Sequence, residues 1–308
     1  MNSTAMMRLF ILLILTVHTD SVMNELIMTF ACFQITMDLY LNSIDDQFMG
    51  CKAKMYCVVT EQLLKNELDS SENFRKDWNA ARKKLHLLNT PDSELTETDM
   101  TNIALQAYTR NDVYKELNDK MGEGRGTYKT RFGLISLHFL ITYGIQTRNA
   151  QHECRTTYRR SKIPIVIRGP SVRFGSFASS SLYATLTHFG KETCFIITTC
   201  YGADISDISL LPHEAEVLIP PYEVFKNEPV TEIPEDFKDC TRIYTLRSVG
   251  KISIMNCEYL KKDKMGPMYM NWTQSSLFLY ISTRLTSSFR TSYLSNSTQL
   301  KLITHILN

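Results

Sequence analysis

The chain has 308 residues, enough for one large domain or two small ones, and its 44% hydrophobic and 21% charged residues are the balance of a globular protein. Its formal net charge is +2, with no long basic run, so nothing pulls it globally toward nucleic acid. A nucleic-acid partner is therefore not expected.

At the N-terminus Arg8 precedes an apolar run, Leu9 to Leu15, that continues to Val17 and gives way to His18-Thr19-Asp20-Ser21. One positive charge ahead of a short apolar core describes a secretory signal peptide, assigned to residues 1–22. The run is short for a bilayer span. The eight cysteines agree with export. None forms a CxxC pair and no histidine stands at zinc-ligand spacing, so disulfides are expected and a metal is not. Sequons at Asn271 and Asn296 are consistent with the same compartment.

The first half then reads helical. Ser71 caps a segment in which Phe74, Trp78, Ala81, Leu85 and Leu88 recur at helical spacing, ending at Asn89-Thr90-Pro91. A second helix is expected from about Thr96 to Thr109 and a third, strongly apolar, from Leu134 to Ile145. The glycine-rich stretch 121–126 lacks a preceding strand and the GxGxxG spacing, so it is read as a loop.

The second half changes texture. Ile163 to Ile167 is a β-branched run, Arg173 to Ser179 alternates, and Phe195 to Thr199 is a further strand. Glu216 to Ile219 and Tyr222 to Phe225 flank Pro220-Pro221, and Arg242 to Leu246 and Lys251 to Ile254 complete the set. Helices followed by strands predict an α+β fold, an N-terminal helical part packed on a strand-rich core. Residues 263–308 read as an irregular polar tail without the terminal apolar stretch that a GPI signal needs.

Three features of the strand half carry chemistry. Arg168-Gly169 closes the run Ile163 to Ile167, where a guanidinium fork suits a diphosphate or carboxylate. Phe174 to Leu182 alternates into Ser179-Ser180-Ser181, whose hydroxyls can fix a carboxylate or a ribose. Glu214 and Glu216, two apart on an expected strand, share a face and repel unless a cation comes between them. Each alone is equally a solvated strand end. No HExxH and no GxSxG elbow occurs, which argues against metallohydrolases and esterases.

In this order, an Arg ending one strand, a Ser-x-Ser and a later Glu-x-Glu, the three resemble the R-S-ExE signature of arginine-specific mono-ADP-ribosyltransferases of the vertebrate ecto-enzyme kind. The stretches Glu216 to Phe225 (EVLIPPYEVF) and Phe174 to Leu182 are close to that family's wording. Met37-Asp38, Asp45-Asp46-Gln47, Cys51, Ala107-Tyr108-Thr109, Lys115 to Asn118 and Asn256 to Tyr259 extend the resemblance over residues 37–262, taken as the catalytic domain. The resemblance implies a split β-sandwich that binds NAD as co-substrate without a metal. It implies transfer of ADP-ribose to arginines of extracellular proteins by a secreted monomer. Arg168 would anchor NAD, Ser179 would hold the catalytic Glu216, and Glu214 would orient the acceptor guanidinium. Tyr108, Gly169 and Ser209 match positions near NAD. Cys51–Cys257 and Cys154–Cys200 pairs are implied, with Cys194–Cys240 as a third, while Cys32 and Cys57 have no assigned partner. The connection from Arg168 to Ser179 is shorter than relatives usually have. That keeps a catalytically silent binding protein as an alternative, beside an NAD glycohydrolase with water as the acceptor.

Overall fold

The structure, a computed structural model, describes residues 34–262. The signal segment, Cys32, the 263–308 tail with both sequons and the GPI reading lie outside the described residues.

The helical layer begins with α1 (Lys52–Val58), which runs through one π-helical turn (Val59–Leu63) into α2 (Leu64–Ser70). α3 (Glu72–Lys84) starts where expected: the Phe74 N–H donates to Ser71 Oγ at 3.2 Å, and the helix buries Phe74, Trp78 and Ala81. It stops earlier than its periodicity suggests, with His86 at φ +60° and Leu88 exposed. α4 (Glu97–Tyr108) opens on a capping box in which Thr96 and Asp99 each satisfy the other's backbone N–H. α5 (Asn111–Met121) and α6 (Ile135–Arg148) follow. α6 is apolar on nearly every side and correspondingly buried, packed on α4.

Among the described residues ten strands form two sheets, the first of them ahead of the helices. β1 (Ile35–Met37) and β3 (Ile165–Ile167) form a parallel pair of their own. The others are β2 (Arg155–Ser161), β4 (Ser171–Val172), β5 (Ala178–Ser181), β6 (Thr193–Thr199), β7 (Ala203–Asp204), β8 (Glu216–Ile219), β9 (Glu223–Glu228) and β10 (Ile243–Lys251). Their order is β4-β9-β10-β6-β2-β5-β8-β7, antiparallel except for β10 against β6. β2 meets β5 at a single Cα pair, Tyr158 with Ser181, so the sheet is split there. This is the expected α+β architecture. One core fills the helical layer and takes Ala203 and Leu218 from the strands and Phe177 from the segment before β5. A second, with Val172, Phe195, Ile219 and Leu246, fills the sheet side. Glu216 shares with Leu218 the face of β8 that looks toward the helices.

Several elements differ from the sequence reading. The Arg173 to Ser179 alternation is broken at Gly175, whose φ is +73° and where an added Cβ would lie 2.6 Å from the Tyr40 ring. Two short strands, β4 and β5, stand in its place. Residues 252–254 leave the sheet because Asp45 claims them: its carboxylate accepts the N–H groups of Ile254 and Met255 at 3.0 Å. Asp46 does the same for Cys257 and Glu258 at 2.9 and 2.8 Å. The Cys51–Cys257 disulfide fastens the same junction, and Cys154–Cys200 and Cys194–Cys240 join strands of the large sheet or their flanks. Cys57 is exposed and unpaired among the described residues.

Arg173 lies fully buried against Asp45, Nη1 to Oδ2 2.6 Å, and also donates to the carbonyls of Leu39, Tyr40 and Ile252. Removing one partner strands a buried charge. Arg173→Met is therefore expected to lower the unfolding free energy by about 3–5 kcal/mol in urea titrations. A loss below about 1 kcal/mol would mean that the pair is solvated.

Candidate active site

A cleft of about 230 Å³ opens beside the split in the sheet. The end of α4 gives it Tyr108 and Thr109, β2 gives Arg159 and Arg160, β5 gives Ser179, the segment before β8 gives Ser209 and Glu214, and β8 opens on Glu216. Tyr108, Ser179, Ser209, Glu214 and Glu216, named through the family resemblance, all line this cleft.

Glu216 is the first residue of β8 and only 9% exposed. Ser209 donates to its Oε2 at 3.0 Å, and the Ser179 hydroxyl, diagonal to it across the β5–β8 pairing, bonds it as well. Burial pushes its carboxyl up from the ordinary range; the two serine hydrogen bonds oppose this, the Glu214 charge adds to it and the Arg159 guanidinium offsets it. Ser180 and Ser181 serve the backbone, donating to the carbonyls of Val217 and Glu214 at 2.9 and 2.6 Å. Tyr108 donates to the Phe177 carbonyl at 3.2 Å and accepts from Asn118. Full burial holds its phenol protonated far above the usual range.

The expectation that Glu214 and Glu216 share one strand is corrected. Glu214 closes the 3-10 turn Pro212–Glu214, Ala215 is left-handed at φ +46°, and the strand begins at Glu216. The twist still turns both carboxylates into the cleft, Glu214 nearer the mouth, where His188 Nε2 lies 3.5 Å from its Oε1.

Arg168 and Gly169 are also corrected. They occupy an exposed turn after β3, which pairs with β1 in the small sheet, and neither lines the cleft. The Arg168 N–H serves the Met37 carbonyl at 2.9 Å, and Gly169 provides a φ of +88° for the turn. Three arginines line the cleft: Arg110, tied to Gln106 and the Ala80 carbonyl, and Arg159 and Arg160 on β2, a strand the sequence does not announce; Arg159 is the one that reaches the serine and glutamate. Its guanidinium donates to the Ser179 carbonyl, and its charge is felt at Glu216. Ser179 follows it at a separation of 20 positions, so the apparent shortness of the Arg–Ser connection disappears. Thr156, Thr157 and Tyr158 before it are strand formers and were the available signal. Arg160 beside it is already spent, donating to the carbonyls of Ala184, Gly190 and Asp236 and pairing with Asp239 at 3.2 Å.

Among the described residues no cluster of metal-ligand type occurs. A helical layer on a split mixed sheet, with a serine-held buried glutamate in the cleft beside the split, defines the ADP-ribosyltransferase class. A sequence model of the family described as NAD:arginine ADP-ribosyltransferase matches residues 37–251. The chain is 34% identical over 263 residues to the human GPI-linked NAD(P)(+)--arginine ADP-ribosyltransferase 1, covering 77% of this chain and 79% of that protein. It is 36% identical to the Gallus gallus NAD(P)(+)--arginine ADP-ribosyltransferase 2, covering 74% of each. Among solved structures, a mutant of the eukaryotic mono-ADP-ribosyltransferase ART2.2 in complex with NADH superposes with a TM-score of 0.63 at 29% identity, over 73% of this chain and 99% of that one. The chain belongs to the NAD:arginine ADP-ribosyltransferase family.

Proposed function

We infer that this protein transfers ADP-ribose from NAD to arginine side chains, and that Glu216 is its catalytic carboxylate. The observation that carries the reading is the pairing of a buried, serine-held Glu216 with a more accessible Glu214 in one cleft. As the bond between the nicotinamide nitrogen and ribose C1′ breaks, positive charge grows on the ribose and the neutral nicotinamide leaves. A carboxylate fixed beside that carbon lowers the barrier without reorganising. An acceptor guanidinium nitrogen then bonds to C1′ and gives up a proton, for which Glu214 is the adjacent base. A planar guanidinium can meet that carboxylate with two hydrogen bonds, a geometry lysine cannot match. Arg159 is assigned to the phosphate side of NAD. Ser179 and Ser209 position Glu216, and Tyr108 forms part of the wall behind it. Arginine-bearing proteins at the extracellular surface are the proposed acceptors. Three disulfides and the N-terminal apolar run support that location.

Glu214→Gln is the test of the division of labour. Transfer to agmatine is expected to fall at least about tenfold, while nicotinamide release into water persists. Equal loss of both activities would overturn the separate roles.

The raised Glu216 carboxyl has a consequence for pH. The group must be ionised to act, so kcat/KM is expected to fall on acidification with a midpoint above the ordinary glutamate value of about 4.3. A midpoint at or below that value would contradict the buried site.

A further inference from the structure

The cleft mouth carries an apolar rim that has no part in the chemical steps given above. On one side, the loop after β5 exposes Leu182 at 36%, Tyr183 at 54% and Phe189 at 43%. On the other, the segment before β8 exposes Leu210 at 39% and Leu211 at 40%. Tyr183, Phe189 and Leu211 line the cleft itself. Leu182 and Leu210 stand just outside it, and both are anchored there. The Leu182 N–H donates to the carbonyl of Ala215, the residue between the two glutamates, and the Leu210 N–H donates to Thr109 Oγ1, each at 3.0 Å. His188 spans the gap to Glu214, its ring against Phe189 with centroids 4.1 Å apart.

The chemistry of the rim is uniform. Residues 182–190 and 208–213 contain no Asp, Glu, Lys or Arg. The one carboxylate at the mouth is Glu214. A clustered set of exposed apolar side chains marks a contact surface, while scattered ones do not. What fits here is a chain that offers one cation to Glu214 and apolar groups on either side of it. Arg110, which also lines the cleft, is turned to the Gln106 side chain and the Ala80 carbonyl, 3.2 Å from each, so a carboxylate neighbour of that cation would be pressed against Leu182 or Leu210 and lose hydration without a free counter-charge.

We propose that the rim is an acceptor-docking surface that selects arginines flanked by apolar residues and rejects arginines flanked by charged ones. The proposal rests on the transferase reading and adds the sequence context of the acceptor to it. Arg160 supports the surface from below, since its bonds to the Ala184 and Gly190 carbonyls hold the 182–190 loop in place.

The test compares two peptides of equal length, each with a single arginine, one with leucine neighbours and one with glutamate neighbours. Agmatine serves as the acceptor without neighbours. With the full oxidised chain, kcat/KM for the leucine peptide is expected to exceed that for the glutamate peptide at least about tenfold. In the Leu182→Asn/Leu210→Asn double variant the ratio, with each rate normalised to agmatine for the same protein, is expected to fall below about threefold. A ratio near one in the unaltered protein overturns the proposal, and so does a tenfold ratio that survives in the double variant. If agmatine itself is not modified, the transfer reading fails separately. The rim is then tested by fluorescence anisotropy of the labelled peptides, where equal binding of the two overturns it and the same tenfold order upholds it. Circular dichroism of the double variant guards against misfolding, and single variants replace it if it unfolds.

Discussion

Replacing Glu216 with glutamine is expected to lower kcat for transfer to agmatine by about 10²–10³-fold, with KM for NAD changed far less. The side chain keeps its size and hydrogen-bonding oxygen, so Ser209 still has its acceptor 3.0 Å away. What is lost is the fixed negative charge, which matters most when the ribose becomes cationic. The variant is not expected to lose stability. The folded carboxyl is raised by burial, so the folded state holds the proton more tightly than the unfolded chain. That group's contribution to stability is full below the unfolded value and is lost as pH rises through the folded one. At neutral pH the buried charge is a cost, and glutamine removes it. Steady-state kinetics with labelled NAD, beside urea denaturation, separates the two effects. A variant with unchanged kcat, or one inactive only because it has unfolded, would count against the role given to Glu216.

Arg159→Ala is expected to cost about 10–100-fold in kcat/KM for NAD, the usual worth of a charge-assisted contact, whereas Arg168→Ala should stay within about twofold of the parent. The contrast follows from position. Arg159 lines the cleft, reaches the Ser179 carbonyl and acts on Glu216 through its charge. Arg168 sits in an exposed turn after the small two-stranded sheet. The same assay reads both variants. The opposite ranking would return the role to Arg168 and would require the turn after β3 to fold over the cleft.

Much of the site is legible in the sequence because β8 and β9 each open on a carboxylate followed by apolar residues, and the serine run of β5 is distinctive. β2 was not legible. With Arg155, Arg159 and Arg160 among seven residues it presents no apolar face, although it lies between β6 and β5 and carries Arg159 into the cleft. α5 escaped for a related reason: only Val113, Leu117 and Met121 are buried in an otherwise polar segment. The left-handed Ala215 has no composition signal either, since alanine has no special preference for positive φ. That single residue decides whether the two glutamates share a strand. The Asp45–Arg173 pair joins residues far apart in the chain, and neither charge advertises its burial.

Transfer itself is the most direct test of the proposed activity. The full disulfide-bonded protein, incubated with NAD and agmatine and analysed by mass spectrometry, is expected to yield agmatine carrying one ADP-ribose on its guanidinium together with equimolar nicotinamide. Nicotinamide released with no adduct, or no turnover of NAD at all, would contradict it.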